Sequence, residues 1–263
     1  IYFLEYVDDT IKDAEDAQRM LGQPTLGAII RIGGIHQPTD RLVTIKQPRS
    51  PISEAYRVLR TNLRFSGIEN PGGVMLVTSA GPNEGKSMTA ANLAVSLGQV
   101  GKCIVLVDGD LRRPSIHKLF GLKNERGLSD LFSGENISVD QVMQPTQIEG
   151  LKVITSGMIP PNPAELLDSR LMTQILATLR QNSDLVIVDS PPVLPVADAT
   201  IIGSRCSGAV LVIDSGRTRT DLARRAVATL ERANVHIAGI ILNKMGKKQA
   251  SGYYYYYYNQ RNA

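Results

Sequence analysis

An apolar run, Val74 to Thr78, leads directly into Ser79-Ala80-Gly81-Pro82-Asn83-Glu84-Gly85-Lys86-Ser87, and a helical stretch over 86–98 follows at once. No other feature of the chain restricts its fold so tightly. The loop has the form [AG]xxxxGK[ST], with Ala80 in the first position. Small residues let the backbone curl so that its N–H groups face a phosphate. Gly85 permits close approach, Lys86 reaches the β- and γ-phosphates, and the Ser87 hydroxyl is placed for Mg²⁺. Gly81, Pro82, Asn83, Glu84, Gly85, Lys86, Ser87 and the following Met88 are therefore the expected nucleotide contacts.

The surrounding pattern predicts the fold. Val74 to Thr78, Cys103 to Val107, Leu151 to Thr155, Leu185 to Val188, Ala209 to Ile213 and Ile237 to Leu242 are short, near-continuous apolar runs. Such runs suit parallel strands buried on both faces. Helical stretches at 86–98, 164–182 and 219–233 lie between them, which implies a doubly wound, mostly parallel α/β sheet. Upstream, 5–22 reads as an amphipathic helix stopped by Gly22, 26–32 as a strand, 33–51 as an aperiodic linker, and 53–64 as a helix capped by Ser50 or Ser53.

Ligands of such sheets bind at the carboxyl ends of the strands, so the residues after each run carry the chemistry. The second run of the P-loop unit ends in Val107-Asp108-Gly109-Asp110-Leu111-Arg112-Arg113-Pro114, on a strand expected next to the P-loop strand. A carboxylate buried there is costly unless paired or linked to a metal. Asp108 and Asp110 therefore suit Mg²⁺-water ligation or acceptance of a hydroxyl proton. Asp189 ends Leu185-Val186-Ile187-Val188 in a Walker B pattern, a partner of the metal. Asn243, after Ile240-Ile241-Leu242, suits either a hydrogen bond to an adenine edge or a turn.

Bulk properties exclude more than they assign. A formal charge of +4 permits contact with anions or a membrane surface but does not point to a nucleic-acid binder. Cys103 and Cys206 lie in or beside apolar runs and are expected to be small buried hydrophobes in a reducing compartment. No run reaches the roughly 18 apolar residues of a membrane span, and no signal peptide is visible. Ile1 to Leu4 is apolar and runs straight into acidic residues, as the cut edge of a longer protein would; a transmembrane helix just upstream or an arbitrary boundary would look the same. Near the other end stand six consecutive tyrosines, Tyr253, Tyr254, Tyr255, Tyr256, Tyr257 and Tyr258, in a chain with four Phe and no Trp. Neither a helical nor a strand period could seat them on a core, so a mobile tail over 247–263 is expected.

Together these segments resemble the bacterial tyrosine kinase (BY-kinase) family, P-loop enzymes unrelated in fold to eukaryotic protein kinases. The likeness rests on the loop SAGPNEGKS, the VDGDLRRP segment that the family calls Walker A′, the Walker B ending at Asp189, PPNPAELL from Pro160 to Leu167, and the terminal tyrosine cluster. It covers roughly 50–263. Relatives among partition and division-site ATPases carry a signature lysine five residues before the catalytic one, where this chain has Gly81. The ExxRxxR stripe Glu54, Arg57, Arg60 matches the family helix that packs kinase domains into a ring; in isolation it would read as a solvated face with an internal Glu54–Arg57 pair. Residues 1–32 resemble the segment by which a transmembrane chain-length (polysaccharide co-polymerase) partner activates the kinase.

The resemblance implies an activator segment over 1–32, a linker over 33–49, a kinase domain over 50–246 and the tail. It implies a homo-oligomer working with ATP and Mg²⁺ at the cytoplasmic face of the bacterial inner membrane, with a tyrosine phosphatase opposing it, in capsular or exopolysaccharide synthesis and export. Lys86 would stabilise the phosphates, Ser87 bind Mg²⁺, Asp110 and Asp189 orient its waters, and Asp108 accept or align the phenolic proton. Two other readings compete: a partition-type ATPase switch without kinase activity, and a nucleotide-dependent co-polymerase scaffold.

Overall fold

Among the described residues eight strands form one sheet, in the order β1-β8-β7-β2-β6-β3-β5-β4. They are β1 (Thr25–Ile30), β2 (Gly73–Ser79), β3 (Ile104–Asp108), β4 (Met143–Pro145), β5 (Leu151–Ile154), β6 (Leu185–Asp189), β7 (Gly208–Asp214) and β8 (Ile237–Met245). All neighbours pair in parallel except β4 with β5. The structure is a computed structural model that describes residues 9–68, 72–134 and 136–246; the tyrosine run and the tail expected over 247–263 lie outside the described residues.

The six apolar runs all become strands, and the central ones are buried at every residue, as a sheet covered on both faces requires. Helices cover it from either side. On one face lie α1 (Ala14–Leu21), α6 (Arg170–Gln181) and α8 (Thr220–Arg232), in a core with Leu76, Val107, Val188 and Leu211. On the other lie α2 (Pro51–Phe65) and α3 (Lys86–Gly98), in a core with Met75, Leu106, Ile187 and Val212. The α3 sequence is small or apolar nearly all round, and Thr89 to Gly98 are buried without a break. Shorter helices α4 (Ile116–Phe120), α5 (Pro163–Asp168) and α7 (Asp198–Gly203) complete the crossovers.

Several expectations need correction. Of the helix expected over 5–22, residues 5–8 lie outside the described residues; within the described ones α1 begins at Ala14, because the Asp13 side chain caps it by accepting the Asp16 N–H, while 9–12 run extended against 215–220. The stretch 164–182 is two helices, α5 and α6, with Ser169 capping the second. The linker is not structureless: Pro38–Arg41 is a 3₁₀ turn and Val43–Lys46 a single α-helical turn. The fully buried Asn92 of α3 holds it by donating to the Arg41 carbonyl and accepting from the Thr44 N–H and hydroxyl. The strand β1 pairs with β8, so the N-terminal segment extends the same sheet. β3 is not adjacent to β2; β6 sits between them and brings Asp108 and Asp189 into register. Cys103 is exposed and Cys206 half-buried, so the first does not pack as a core hydrophobe.

Candidate active site

The carboxyl ends of β2, β6 and β3 open onto a cleft of about 530 Å³. Pro82, Asn83, Gly85, Lys86, Ser87 and Met88 form its floor. Gly85 opens α3 in the left-handed region, at φ +96°, and a Cβ there would stand 2.1 Å from the Asn243 amide nitrogen. Only glycine suits that place, for backbone strain and for space. Asp110, Arg113, Ser115 and Leu119 form one wall. The rim includes Arg31, Ile32, Ile35 and Arg41, from the N-terminal segment and the linker, whose 3₁₀ turn packs against α4. No motif marked those four; the β1–β8 pairing and the hold of Asn92 on the linker place them here.

Lys86 is the centre of charge. Its ammonium donates to Asp110 Oδ2 at 2.9 Å and to the Ser87 hydroxyl at 3.1 Å, and lies 3.7 Å from Asp189 Oδ1. Burial alone would lower its pKa, but the Asp189 and Asp110 carboxylates outweigh that and hold it above the ordinary lysine value. Asp108 and Asp189 are fully buried. Burial pushes both carboxyls upward; their proximity adds to the shift of Asp108, while Lys86 opposes that of Asp189. Gly109 makes the juxtaposition possible: a Cβ there would meet the Asp189 carbonyl at 2.8 Å, and its N–H donates to that carbonyl at 2.7 Å.

The expected site residues divide into those on the cleft and those behind it. Lys86, Ser87 and Asp110 meet there, with Asp189 at the base. Asp108 does not reach the wall: its Oδ2 accepts the N–H groups of Ser115 and Ile116, which folds the chain after β3 back toward α4. The Glu84 carboxylate also turns away, accepting from the Ala80 N–H at 2.9 Å and the Thr218 hydroxyl at 2.7 Å. Gly81 lies off the cleft, and its N–H also supports Glu84. Asn243 is buried and both ends of its amide are committed, donating to the Glu84 carbonyl at 2.8 Å and accepting from the Lys244 N–H at 2.9 Å. It therefore fixes the loop from behind. Lys244, with φ +57°, donates to Asp214 Oδ2 at 2.7 Å and to the Asn83 carbonyl.

A divalent cation fits the reactive corner. Among the described residues neither Asp189 oxygen nor Asp108 Oδ1 has a hydrogen-bond partner, although all are buried. Buried carboxylate oxygens without donors are costly, and a cation-bound water offers the missing ones. Ser87, Asp110 and Asp189 are the residues that would hold it. The sequence reading also missed Arg112, which grips the fully buried Asp198 through two bonds of 2.8 and 2.9 Å and pins the turn after Asp110 onto α7. On α2, Arg57 pairs with Glu54 and donates to the Pro48 carbonyl, while Arg60 donates to the Ser96 carbonyl at 2.7 Å. The described residues hold no helix long and apolar enough to cross a membrane.

Comparison with known proteins agrees with this geometry. The family profile described as ParA, NUBPL iron-transfer P-loop NTPase, matches residues 72–260. The tyrosine-protein kinase YwqD of Bacillus subtilis is 42% identical over 214 residues, 81% of this chain and 90% of that protein. The tyrosine-protein kinase etk of Escherichia coli is 36% identical over 211 residues, but these span only 29% of its length. Among solved structures, the chimerical protein CapA2B2 superposes with a TM-score of 0.82 at 37% identity, over 89% of this chain and 100% of that one. The kinase domain of E. coli ETK superposes at 0.79 and 33% identity, over 86% and 92%. The cell-division ATPase MinD of Pyrococcus furiosus, at 24% identity, a TM-score of 0.58 and 69% and 79% coverage, shares the fold. A P-loop with its lysine set among Asp110 and Asp189, on a chain alike over most of its length to protein-tyrosine kinases, leads to one conclusion: this protein belongs to the bacterial tyrosine kinase family of P-loop enzymes.

Proposed function

We propose that the chain transfers the γ-phosphoryl group of ATP, with Mg²⁺, to the hydroxyls of Tyr253–Tyr258, chiefly those of a neighbouring subunit. The observation that carries this reading is Lys86 held between Asp110 and Asp189 at the mouth of the P-loop, in a chain that bears its own run of phenols. Bound Mg·ATP supplies the transferable group and the divalent charge. Lys86 and the loop N–H groups would hold the phosphates, and Ser87, Asp110 and Asp189 would hold the cation. The phenol oxygen forms the new P–O bond as the bond to ADP breaks, and the phenolic proton leaves. Asp110, paired with Lys86 and facing the cleft, is placed to align the phenol, whose proton passes to solvent; Asp108, whose Oδ2 is bound to two N–H groups, shapes the turn that carries Asp110. Catalysis is then mainly positioning and charge stabilisation.

A tethered run of six equivalent acceptors raises local concentration and makes register unimportant. Each phosphotyrosine adds roughly −1.5 to −2 charge. Several of them outweigh Lys247, Lys248 and Arg261 and drive the tail from a corner of three aspartates, which loosens an assembly joined through the Glu54–Arg60 helix. Equal oligomer masses by light scattering for phosphorylated and dephosphorylated protein would contradict that loosening. The naming of a Klebsiella pneumoniae relative for a cps region supports a place in capsular or exopolysaccharide synthesis; a membrane-bound activating partner and a place at the cytoplasmic membrane face rest on the family resemblance of residues 1–32. The reading is tested by incubation with Mg·ATP and phosphopeptide mass spectrometry. Phosphate on Tyr253–Tyr258, lost in Lys86→Met, supports it; free phosphate without labelled protein supports an ATPase switch, and neither product a scaffold.

A further inference from the structure

The buried carboxylate of Glu84 lies in the nucleotide loop yet faces away from the cleft, toward the turn after β7. That turn is bound on its outer side by the N-terminal segment. The Thr220 N–H donates to the Asp9 carbonyl at 2.8 Å, the Ile11 N–H to the Thr218 carbonyl at 3.1 Å, and the Gly216 N–H to the Ile11 carbonyl at 2.8 Å. The Ser215 hydroxyl donates to the Lys12 carbonyl at 2.6 Å, and Thr10 pairs with Arg219 in an antiparallel bridge. Ile11 itself is 1% exposed and belongs to the core beneath.

Thr218 touches both sides. Its carbonyl receives the Ile11 N–H, while its hydroxyl donates to Glu84 Oε1 at 2.7 Å and accepts the Asp214 N–H at 3.1 Å. Glu84 Oε2 in turn accepts the Ala80 N–H at the start of the loop. We propose that Thr218 and Glu84 are positioning residues that couple the docking of residues 9–12 to the shape of the nucleotide loop. The physical reason is the cost of an undersupplied buried carboxylate. With its donors in place, Glu84 is locked, and the loop backbone on either side of it is locked with it. Losing the Thr218 hydroxyl, or loosening the segment that fixes Thr218, lets the carboxylate seek another donor and takes the loop out of its phosphate-binding curl.

The idea rests on nucleotide binding at the P-loop, within the proposed function, but its test does not need phosphoryl transfer. Mg·ADP binding to the full chain is measured by calorimetry for wild type, Thr218→Val, Thr218→Ser, Ile11→Ala and the Ile11→Ala/Thr218→Val double variant. Thr218→Val, which removes the hydrogen bond to the charged Glu84 and the one from the Asp214 N–H, should weaken binding at least roughly tenfold. Thr218→Ser, which restores the hydroxyl, should bind within about twofold of wild type. Ile11→Ala should weaken binding about threefold, and the double variant should bind no more weakly than Thr218→Val alone. Unchanged affinity in folded Thr218→Val, or effects of the two substitutions that multiply, would overturn the proposal. Should Thr218→Val not fold, Glu84→Gln, which keeps the side-chain shape, replaces it against the same two outcomes. A wild type that binds Mg·ADP but labels no tyrosine would sink the kinase reading and leave this coupling intact.

Discussion

The nucleotide loop lies between two buried polar clusters that differ in how well their charges are satisfied. On the β3–β6 side, Asp108, Asp110 and Asp189 crowd around one ammonium, and three carboxylate oxygens there have no hydrogen-bond partner among the described residues. On the β7–β8 side, Glu84, Asp214, Asn243 and Lys244 are tied by hydrogen bonds to Ala80, Thr218, Asn83 and one another, with Asp214 Oδ1 the one carboxylate oxygen of this cluster left without a partner among the described residues. The first arrangement is costly in the free protein and suits a site that gains its missing partners from a ligand. The second is a brace, whose gain lies in fixing backbone. A group's distance from the loop does not separate the two roles; the completeness of its hydrogen bonding does.

The contrast can be broken most severely at Lys86. Lys86→Met leaves three carboxylates without their cation and should reduce tyrosine phosphorylation on the order of a thousandfold, read by anti-phosphotyrosine blot or mass spectrometry. Next is the anchor of the reactive side. Arg112→Met leaves the fully buried Asp198 without its cation and should lower stability by about 3–5 kcal/mol in denaturant unfolding. Gly109→Ala comes after it, because the new methyl group meets the Asp189 carbonyl and Val188 together; about 1–3 kcal/mol of stability should be lost. The smallest effect has the opposite sign. Asp108→Asn keeps an oxygen for Ser115 and Ile116 and removes a buried charge beside Asp189, so the melting temperature should rise by an amount equivalent to about 1 kcal/mol. A fall would place Asp108 in the brace rather than among the strained charges.

What the sequence made legible follows from local physics. Parallel strands buried on both faces announce themselves as apolar runs, and all six were recovered, with β6 and β3 ending on their aspartates. The P-loop was legible because its chemistry is contiguous. Asp108, Glu84 and Asn243 were legible as polar residues at strand or loop ends but not in their direction, since nothing in a linear motif says which way a side chain turns. Glu84 needed Thr218, 134 residues away, to reveal itself as a brace. Arg112 with Asp198, 86 residues apart, needed the α7 crossover. The order β2-β6-β3 was missed because apolar runs carry no record of which neighbour they pair with. The start of α1 is not legible from its amphipathic period, which continues upstream past the Asp13 cap that begins the helix.

The reactive corner and the tail are tied together most directly by one mixing experiment. Lys86→Met protein, distinguished by heavy-isotope labelling, is incubated with catalytic amounts of unlabelled wild type and Mg·ATP, and the Tyr253–Tyr258 peptides of both are quantified by mass spectrometry. Phosphate accumulating on the heavy peptides shows transfer from one subunit's site to another's tail, as proposed. Wild-type peptides phosphorylated while heavy ones stay bare would confine transfer within a subunit, and bare peptides from both would contradict the assignment of these phenols as the substrate.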